Sequence, residues 1–397
     1  MSTSPLRVAM IGHGFMGAAH SQGWRTAPRF FDLPRRPEMR LLVGRDAGAA
    51  GEAAERWGWD EASTDWRAVL ERDDIDVVDI VTPGDSHAEI AIAALDAGKH
   101  VLCEKPLANT VEQAVSMADA AARAARNGVF AMVGFTYRRV PAATLARDLI
   151  AAGRIGEVRQ VRASYLQDWL ADAESPMTWR LDSARAGSGA LGDIGAHAID
   201  LAQFITGLRV ASVSGTLQTL VEERPLLAES VGLSGTASSE RGRVTVDDVA
   251  LFTARFGGGV LGSFEASRFA SGRKNALRVE VSGSTGAIAF DLEDLNTLQV
   301  FDATAPMETQ GFTRVLVTEP QHPYVAAWWP AGHLLGYEHG FSHQAKDFVE
   351  AIAAGEQPTP SFDDGLQVQR VLESVGASAR SGSSWTDVEP NQKEERP

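Results

Sequence analysis

One glycine turn constrains this chain more than any other feature. Gly12-His13-Gly14-Phe15-Met16-Gly17 sits between an apolar run, Arg7–Ile11, and a stretch of helical spacing from about Phe15 to Thr26. The pattern G-x-G-x-x-G is weak alone, and with 38 glycines the chain carries it three times. The match at Gly257, Gly259 and Gly262 lies between two strand patterns and reads as a hairpin turn. The match at Gly187, Gly189 and Gly192 follows the polar stretch RLDSARA, not a strand. Only the first has a strand before it and a helix after it. There Gly12 permits the tight turn, Gly14 lets the backbone approach a pyrophosphate, and Gly17 lets helix and strand pack closely. The helix N-terminus turns free N–H groups and a positive dipole end toward the phosphates. The whole turn, with His13, Phe15 and Met16, is therefore expected to bind a dinucleotide.

The alternation continues past the turn. Arg40–Val43, Val77–Val81, His100–Cys103 and Val129–Val133 read as strands, and Ala47–Trp57, Ser86–Ala97 and Val111–Arg126 as helices, with Gly98 as a C-terminal stop. Val77–Val81 is apolar except for Asp79 and ends in Thr82-Pro83. Strands separated by helices of this length imply a doubly wound parallel sheet of the Rossmann type. The character changes after about residue 155. Val158–Trp169 reads as a long strand and Ala190–Thr206 as a helix; Val210–Val221, Val249–Phe256, Val260–Phe269, Leu277–Ser282 and Ala287–Phe290 then crowd together with short turns, which predicts an antiparallel sheet. Glu338–Ala353 and Phe362–Ala379 read as closing helices. Most of Glu222–Asp247, rich in Gly, Ser and charge, reads as a surface loop, and Glu389–Pro397 as a disordered tail.

A length of 397 residues suits two domains rather than one core. The formal charge of −15, with no basic stripe, argues against nucleic acid as a partner. No apolar run is long enough to span a membrane, and MSTSPLRVAMIG lacks the basic-then-apolar order of a secretory signal. Cys103 is the single cysteine, so no internal disulfide forms, and a cytoplasmic setting is expected. No metal site is expected.

An acid at the end of the second strand normally holds the ribose 2′-hydroxyl of NAD. Here that strand ends in Gly44-Arg45-Asp46, with Gly44 where the acid belongs. Arg45 suits a 2′-phosphate and Asp46 a ribose, so the reading leans to NADP over NAD. Further on, Cys103-Glu104-Lys105-Pro106 closes a strand at the edge where such sheets bind ligands. A lysine there serves as a fixed cation, and the bond to Pro106 is a candidate for the cis form. In GSGALGDIGAHAIDLAQF, helical spacing puts Asp193, His197 and Asp200 on one face. The imidazole is suited to take a proton near neutrality, with Asp193 to orient it or a bound hydroxyl.

Four stretches in this order, GHGFMG, TPGDSHAEIA, GKHVLCEKPLA and DIGAHAIDL, resemble the glucose–fructose oxidoreductase / inositol dehydrogenase / rhizopine-catabolism family over nearly the whole chain. SYLQDW, MTWRLD, SGALGDIGAH and HPYVAAWWP are similar to its branch acting on glycosides, anhydrosugars and inositols. One member of that branch carries an acid at the position of Gly44. The resemblance implies an α/β fold with a Rossmann domain over residues 1–135. It also implies a substrate-binding and oligomerisation domain over 136–388, built on a large, open, mainly antiparallel sheet, before the tail 389–397. It implies a catalytic set of Lys105, Asp193 and His197, with Thr82, Pro83, His87 and Glu104 lining the nicotinamide and ribose. Tyr165, Gln167, Asp168, Trp169, Trp179 and Arg180 fall where the family builds its substrate pocket, which Lys105, Asp193 and His197 share. The implied activity is NAD(P)-dependent hydride transfer at a secondary hydroxyl or ketone of a sugar, glycoside, anhydrosugar or inositol, by a homodimer or homotetramer. Two other readings stay open: a redox-assisted glycoside-cleaving enzyme with tightly held NAD, and a dinucleotide-binding protein without chemistry.

Overall fold

The structure, a computed structural model, describes residues 4–231 and 234–388, so the tail expected at 389–397 lies outside the described residues. The chain divides into two compact units: residues 4–140 with Tyr324–Leu366, and Pro141–Ser230 with 234–323 and 367–388.

The first unit is the parallel sheet that the alternation predicts. Its strands are β1 (Leu6–Ile11), β2 (Pro37–Val43), β3 (Glu61–Ser63), β4 (Val77–Ile80), β5 (His100–Cys103) and β6 (Ala131–Val133). Its helices are α1 (Phe15–Phe30), α2 (Ala47–Trp57), α3 (His87–Asp96) and α4 (Val111–Ala125). The order is β3-β2-β1-β4-β5-β6, every pair parallel, so direction reverses beside β1. That switch point puts the turns after β1, β4 and β5 at one edge, where doubly wound sheets bind ligands. Helix α8 (His339–Ala354, below) supplies Ala345, Phe348, Val349 and Ile352 to the same core as Leu6, Val8, Met10 and Trp24.

The second unit begins with α5 (Pro141–Ala151), β7 (Val158–Leu166), the short α6 (Ser183–Ala186), one π-helical turn (Leu191–Gly195) and α7 (Ala196–Thr206). The strands β8 (Val210–Gln218), β9 (Glu223–Val231), β10 (Ser234–Arg243), β11 (Val249–Phe256), β12 (Leu261–Ser267), β13 (Ala276–Gly283), β14 (Gly286–Asp291), β15 (Thr297–Asp302) and β16 (Phe312–Leu316) follow. After α8 the chain closes with α9 (Phe362–Arg380) and β17 (Thr386–Asp387). A nine-stranded sheet runs β16-β15-β14-β13-β7-β12-β11-β8-β17, antiparallel except for β7 against β12. Helices α5 and α7 pack against it and against each other.

Glu222–Asp247 is not the surface loop that its composition suggests. It holds β9 and β10, which pair as a separate two-stranded sheet. Arg224 is fully buried, its Nη1 and Nη2 donating to the carbonyls of Asp172 (2.8 Å) and Leu170 (2.7 Å). A charged residue thus serves as an internal strut, which composition alone cannot reveal. Among the described residues no helix is long and apolar enough to cross a membrane.

Candidate active site

The glycine turn has the geometry its sequence promises. Gly12 sits at φ +111°, and a Cβ there would meet the Val81 carbonyl carbon and oxygen at 3.0 Å. Gly14 immediately precedes α1, and nothing lies within 4 Å of where its Cβ would be. The first turn of α1 carries no acid. Open backbone, an N-terminus without a side-chain cap and the dipole end together fit a pyrophosphate. At the end of β2, a Cβ on Gly44 would lie 2.3 Å and 2.5 Å from His13 Cδ2 and Nε2, so the imidazole covers the place an acidic side chain would need. Asp46 caps α2 by accepting the Ala49 N–H at 2.8 Å, and Arg45 is exposed.

The turns after β4 and β5 are tied together. His87 is buried, with Nδ1 3.0 Å from the Pro106 carbonyl and Nε2 2.9 Å from the Thr82 carbonyl. It therefore holds the lysine turn against the Thr82-Pro83 turn. The Lys105–Pro106 bond is cis. Glu104 is buried beneath the turn, and its Oε2 accepts the Lys105 N–H at 3.1 Å. Its Oε1 lies 3.1 Å from His20 Nε2, while His20 Nδ1 lies 3.0 Å from both oxygens of Asp79. Burial alone would lower the His20 imidazole. The charge and hydrogen bonds of Asp79 and Glu104 outweigh it and raise the group from 6.5 to about 10. Sequence reading missed His20 and left Asp79 without a role; the signal was a carboxylate inside an otherwise apolar strand.

On the second unit, α7 and the turn before it carry Asp193 and His197. The edge of the Tyr165 ring meets the His197 ring, centroids 5.8 Å apart. The Tyr165 hydroxyl and Gln167 Nε2 both donate to Asn275 Oδ1, at 2.7 Å and 2.8 Å, and Trp169 Nε1 donates to Gln167 Oε1 at 2.9 Å. Trp169 packs over Arg268, whose Nη1 is 3.6 Å from Asp193 Oδ2. Arg268 is wholly buried, and its Nε and Nη1 find no hydrogen-bond partner among the described residues. Asp193 is thus the anion facing a buried cation. Asp247 carboxylate oxygens accept the N–H groups of Gly189 (2.8 Å) and Leu191 (2.7 Å), which anchors the start of this segment. Burial pushes the Asp247 carboxyl up, against Leu191, Gly189 and Arg268, which pull it down.

Tyr165, Gln167, Trp169, Asp193 and His197 are therefore gathered on one unit. Tyr165 is buried, with its ring against that of His197. Asp168 is engaged with Lys274 Nζ at 2.7 Å, which holds its carboxyl low. Trp179 and Arg180 stack on one another at 4.4 Å on a short turn of their own. Asp200 does not share the partial exposure of Asp193 and His197: it is 2 % exposed, although it keeps i, i+3 spacing to His197 within α7. The π-helical turn Leu191–Gly195 changes the register of Asp193 relative to α7, a distortion common at functional sites.

Two family models match the chain: "Oxidoreductase family, NAD-binding Rossmann fold" over residues 6–135 and "GFO/IDH/MocA C-terminal domain" over residues 144–289. Levoglucosan dehydrogenase of Pseudarthrobacter phenanthrenivorans is 42% identical over 388 residues, covering 96% of this chain and 98% of that protein. Inositol 2-dehydrogenase of Rhizobium meliloti is 27% identical, covering 91% of this chain and 93% of its own. Among solved structures, an oxidoreductase domain protein from Kribbella flavida superposes with TM-score 0.93 at 62% identity, over 98% of this chain and all (100%) of that one. Levoglucosan dehydrogenase in complex with NADH and levoglucosan superposes with TM-score 0.91 at 42% identity, over 97% of this chain and 99% of that one. The chain therefore belongs to the GFO/IDH/MocA family of oxidoreductases, with an NAD-binding Rossmann fold at its N-terminal end.

Proposed function

We propose that this oxidoreductase moves a hydride between a secondary hydroxyl of a cyclic sugar, anhydrosugar, glycoside or inositol and the nicotinamide, with Lys105, Asp193 and His197 as its catalytic residues. The carrying observation is the second-unit array, in which Tyr165 backs His197 and buried Arg268 faces Asp193. A nicotinamide held by these turns would supply the hydride transfer. Lys105 hydrogen-bonds the reacting oxygen and stabilises negative charge as it grows. An imidazole nitrogen of His197 takes the hydroxyl proton as the hydride leaves the same carbon, and a ketone results. Asp193, facing the Arg268 guanidinium, orients the sugar or the imidazole. Ketone reduction uses the same groups in reverse. In this reading residues 1–135 serve the dinucleotide, and 136–388 serve the substrate and assembly.

A panel of cyclic polyols, sugars and glycosides, assayed with NAD and NADP separately by absorbance of the reduced nicotinamide, tests the assignment. Net cofactor reduction with a polyol or sugar is expected. Release of an aglycone without net reduction would favour the glycoside-cleaving reading, and dinucleotide binding without turnover in either direction would overturn catalysis. NAD(H) binding follows from the family; the lean to NADP rests on Gly44, Arg45 and His13. Because the His13 ring occupies the space above Gly44, Gly44→Asp alone gains little, whereas Gly44→Asp with His13→Ala shifts the kcat/KM ratio toward NAD by about 10–100-fold. A native enzyme that already prefers NAD in that assay would remove the lean.

The assembly face is proposed to be the outer side of the nine-stranded sheet. Leu251 and Leu261 are 49% and 52% exposed there, beside the Arg162–Glu280 pair at 2.9 Å. Apolar residues ringed by paired charges suit a self-complementary contact. Light scattering on the purified chain should give a dimer or tetramer, and a monomer at micromolar concentration would refute it.

A further inference from the structure

We propose that His20 is a positioning residue for the lysine turn: clamped between Asp79 and Glu104, it locks the carboxylate that holds the Lys105 N–H, and so braces the lysine from the dinucleotide helix. The inference rests on Lys105 acting in the reaction.

The clamp joins three elements. His20 belongs to α1, Asp79 to β4, and Glu104 directly follows β5. All three side chains are buried. Trp24, one turn beyond His20, donates its Nε1–H to Asp79 Oδ2 at 2.7 Å. Each Glu104 oxygen has its own donor: His20 on Oε1 and the Lys105 backbone on Oε2, both at 3.1 Å. The plane and tilt of the carboxylate are thereby fixed. The Phe341 ring closes over the imidazole from α8, centroids 5.5 Å apart. Cys103 and Tyr337 face Glu104, and Tyr137 packs on Tyr337. Burial and the two carboxylates push the Cys103 thiol up; burial, Tyr137 and Glu104 push the Tyr337 phenol up. The imidazolium is thus the compensating cation between the two acids.

Packing does not call for this arrangement. Val77, Val78 and Ile80 of β4 are fully buried and apolar, and replacing a buried ion cluster with apolar residues of similar volume is often neutral or stabilising. The charges sit instead where they control the backbone N–H of the lysine itself. Gly134 supplies a second handle: a Cβ there would come within 2.7 Å of Glu104 Oε1, from a residue outside the clamp.

His20→Gln and Gly134→Ala, each in the full chain, test the inference through kcat, KM, thermal midpoint and dinucleotide affinity by fluorescence. Both are expected to lower kcat by about 10–100-fold while KM and dinucleotide Kd stay within about threefold. In His20→Gln the two carboxylates lose the cation between them and one takes up a proton, so kcat gains a rise with pH additional to the one that His197 gives the native profile. A native kcat and pH profile in His20→Gln would overturn the proposal. So would losses in both variants that merely track dinucleotide affinity and thermal midpoint. Should His20→Gln not fold, Gly134→Ala decides, and a native kcat there overturns it. Lys105→Met with native kcat defeats the assignment of the lysine itself; a collapse there alongside native kcat in His20→Gln defeats this inference alone.

Discussion

Under the proposed mechanism, Lys105→Met and His197→Ala are each expected to lower kcat by about 10³-fold or more, with thermal midpoint and dinucleotide affinity close to native. The two losses have different origins. Methionine keeps the apolar stem of Lys105 and removes the ammonium, so the reacting oxygen loses its cation as negative charge builds on it. Alanine at position 197 removes the proton acceptor, and solvent must take its place. The His197→Ala loss should therefore shrink as pH rises and hydroxide becomes abundant, whereas the Lys105→Met loss should not. Steady-state kinetics from pH 6 to 10 on the best substrate of the panel measure both. Full activity in either variant would remove that residue from the reaction.

Gly189→Ala is expected to be the most damaging single-methyl change in the second unit. A Cβ at that position would lie 1.7 Å from the Asp247 carbonyl oxygen and 2.8 Å from its backbone N, with no flexible side-chain end to yield. Asp247 cannot withdraw without consequence. Its carboxylate holds the N–H groups of Gly189 and Leu191, and its carbonyl accepts from Ala190 N (3.0 Å) and Arg268 Nη2 (3.0 Å). Separating the chains strands several buried polar groups, and a loss of more than about 4 kcal/mol follows. The readout is a fall of roughly 10 °C or more in thermal midpoint, or an insoluble product. An unchanged midpoint would show that the segment relaxes at little cost.

The parts legible in the sequence were those fixed by local rules. Ala47–Trp57 announced itself by composition, and the glycine turn by its place between strand and helix. Lys105, Asp193 and His197 stood out by position and spacing, and resemblance joined them into one catalytic set. What stayed hidden depended on partners far along the chain. Asp79 looks like an anomaly until His20 is seen 59 residues away, and Arg224 looks like a loop charge until the carbonyls of Leu170 and Asp172 surround it. Tyr165 reads as pocket wall, yet its hydroxyl is spent on Asn275, 110 residues on. Periodicity reports which face of an element is apolar, not which partner satisfies a buried polar atom.

The seating of α8 in the core of the first unit bears on how the protein is made. The strands and turns for the dinucleotide leave the ribosome early, but Phe348, Val349 and Ile352, which share a core with Leu6, Val8 and Trp24, emerge only after most of the second unit. At ordinary synthesis rates that is a delay of tens of seconds. Throughout it, the flank of α1 that α8 covers in the finished fold lacks that cover. A gene cut after residue 135 would make that exposed state permanent.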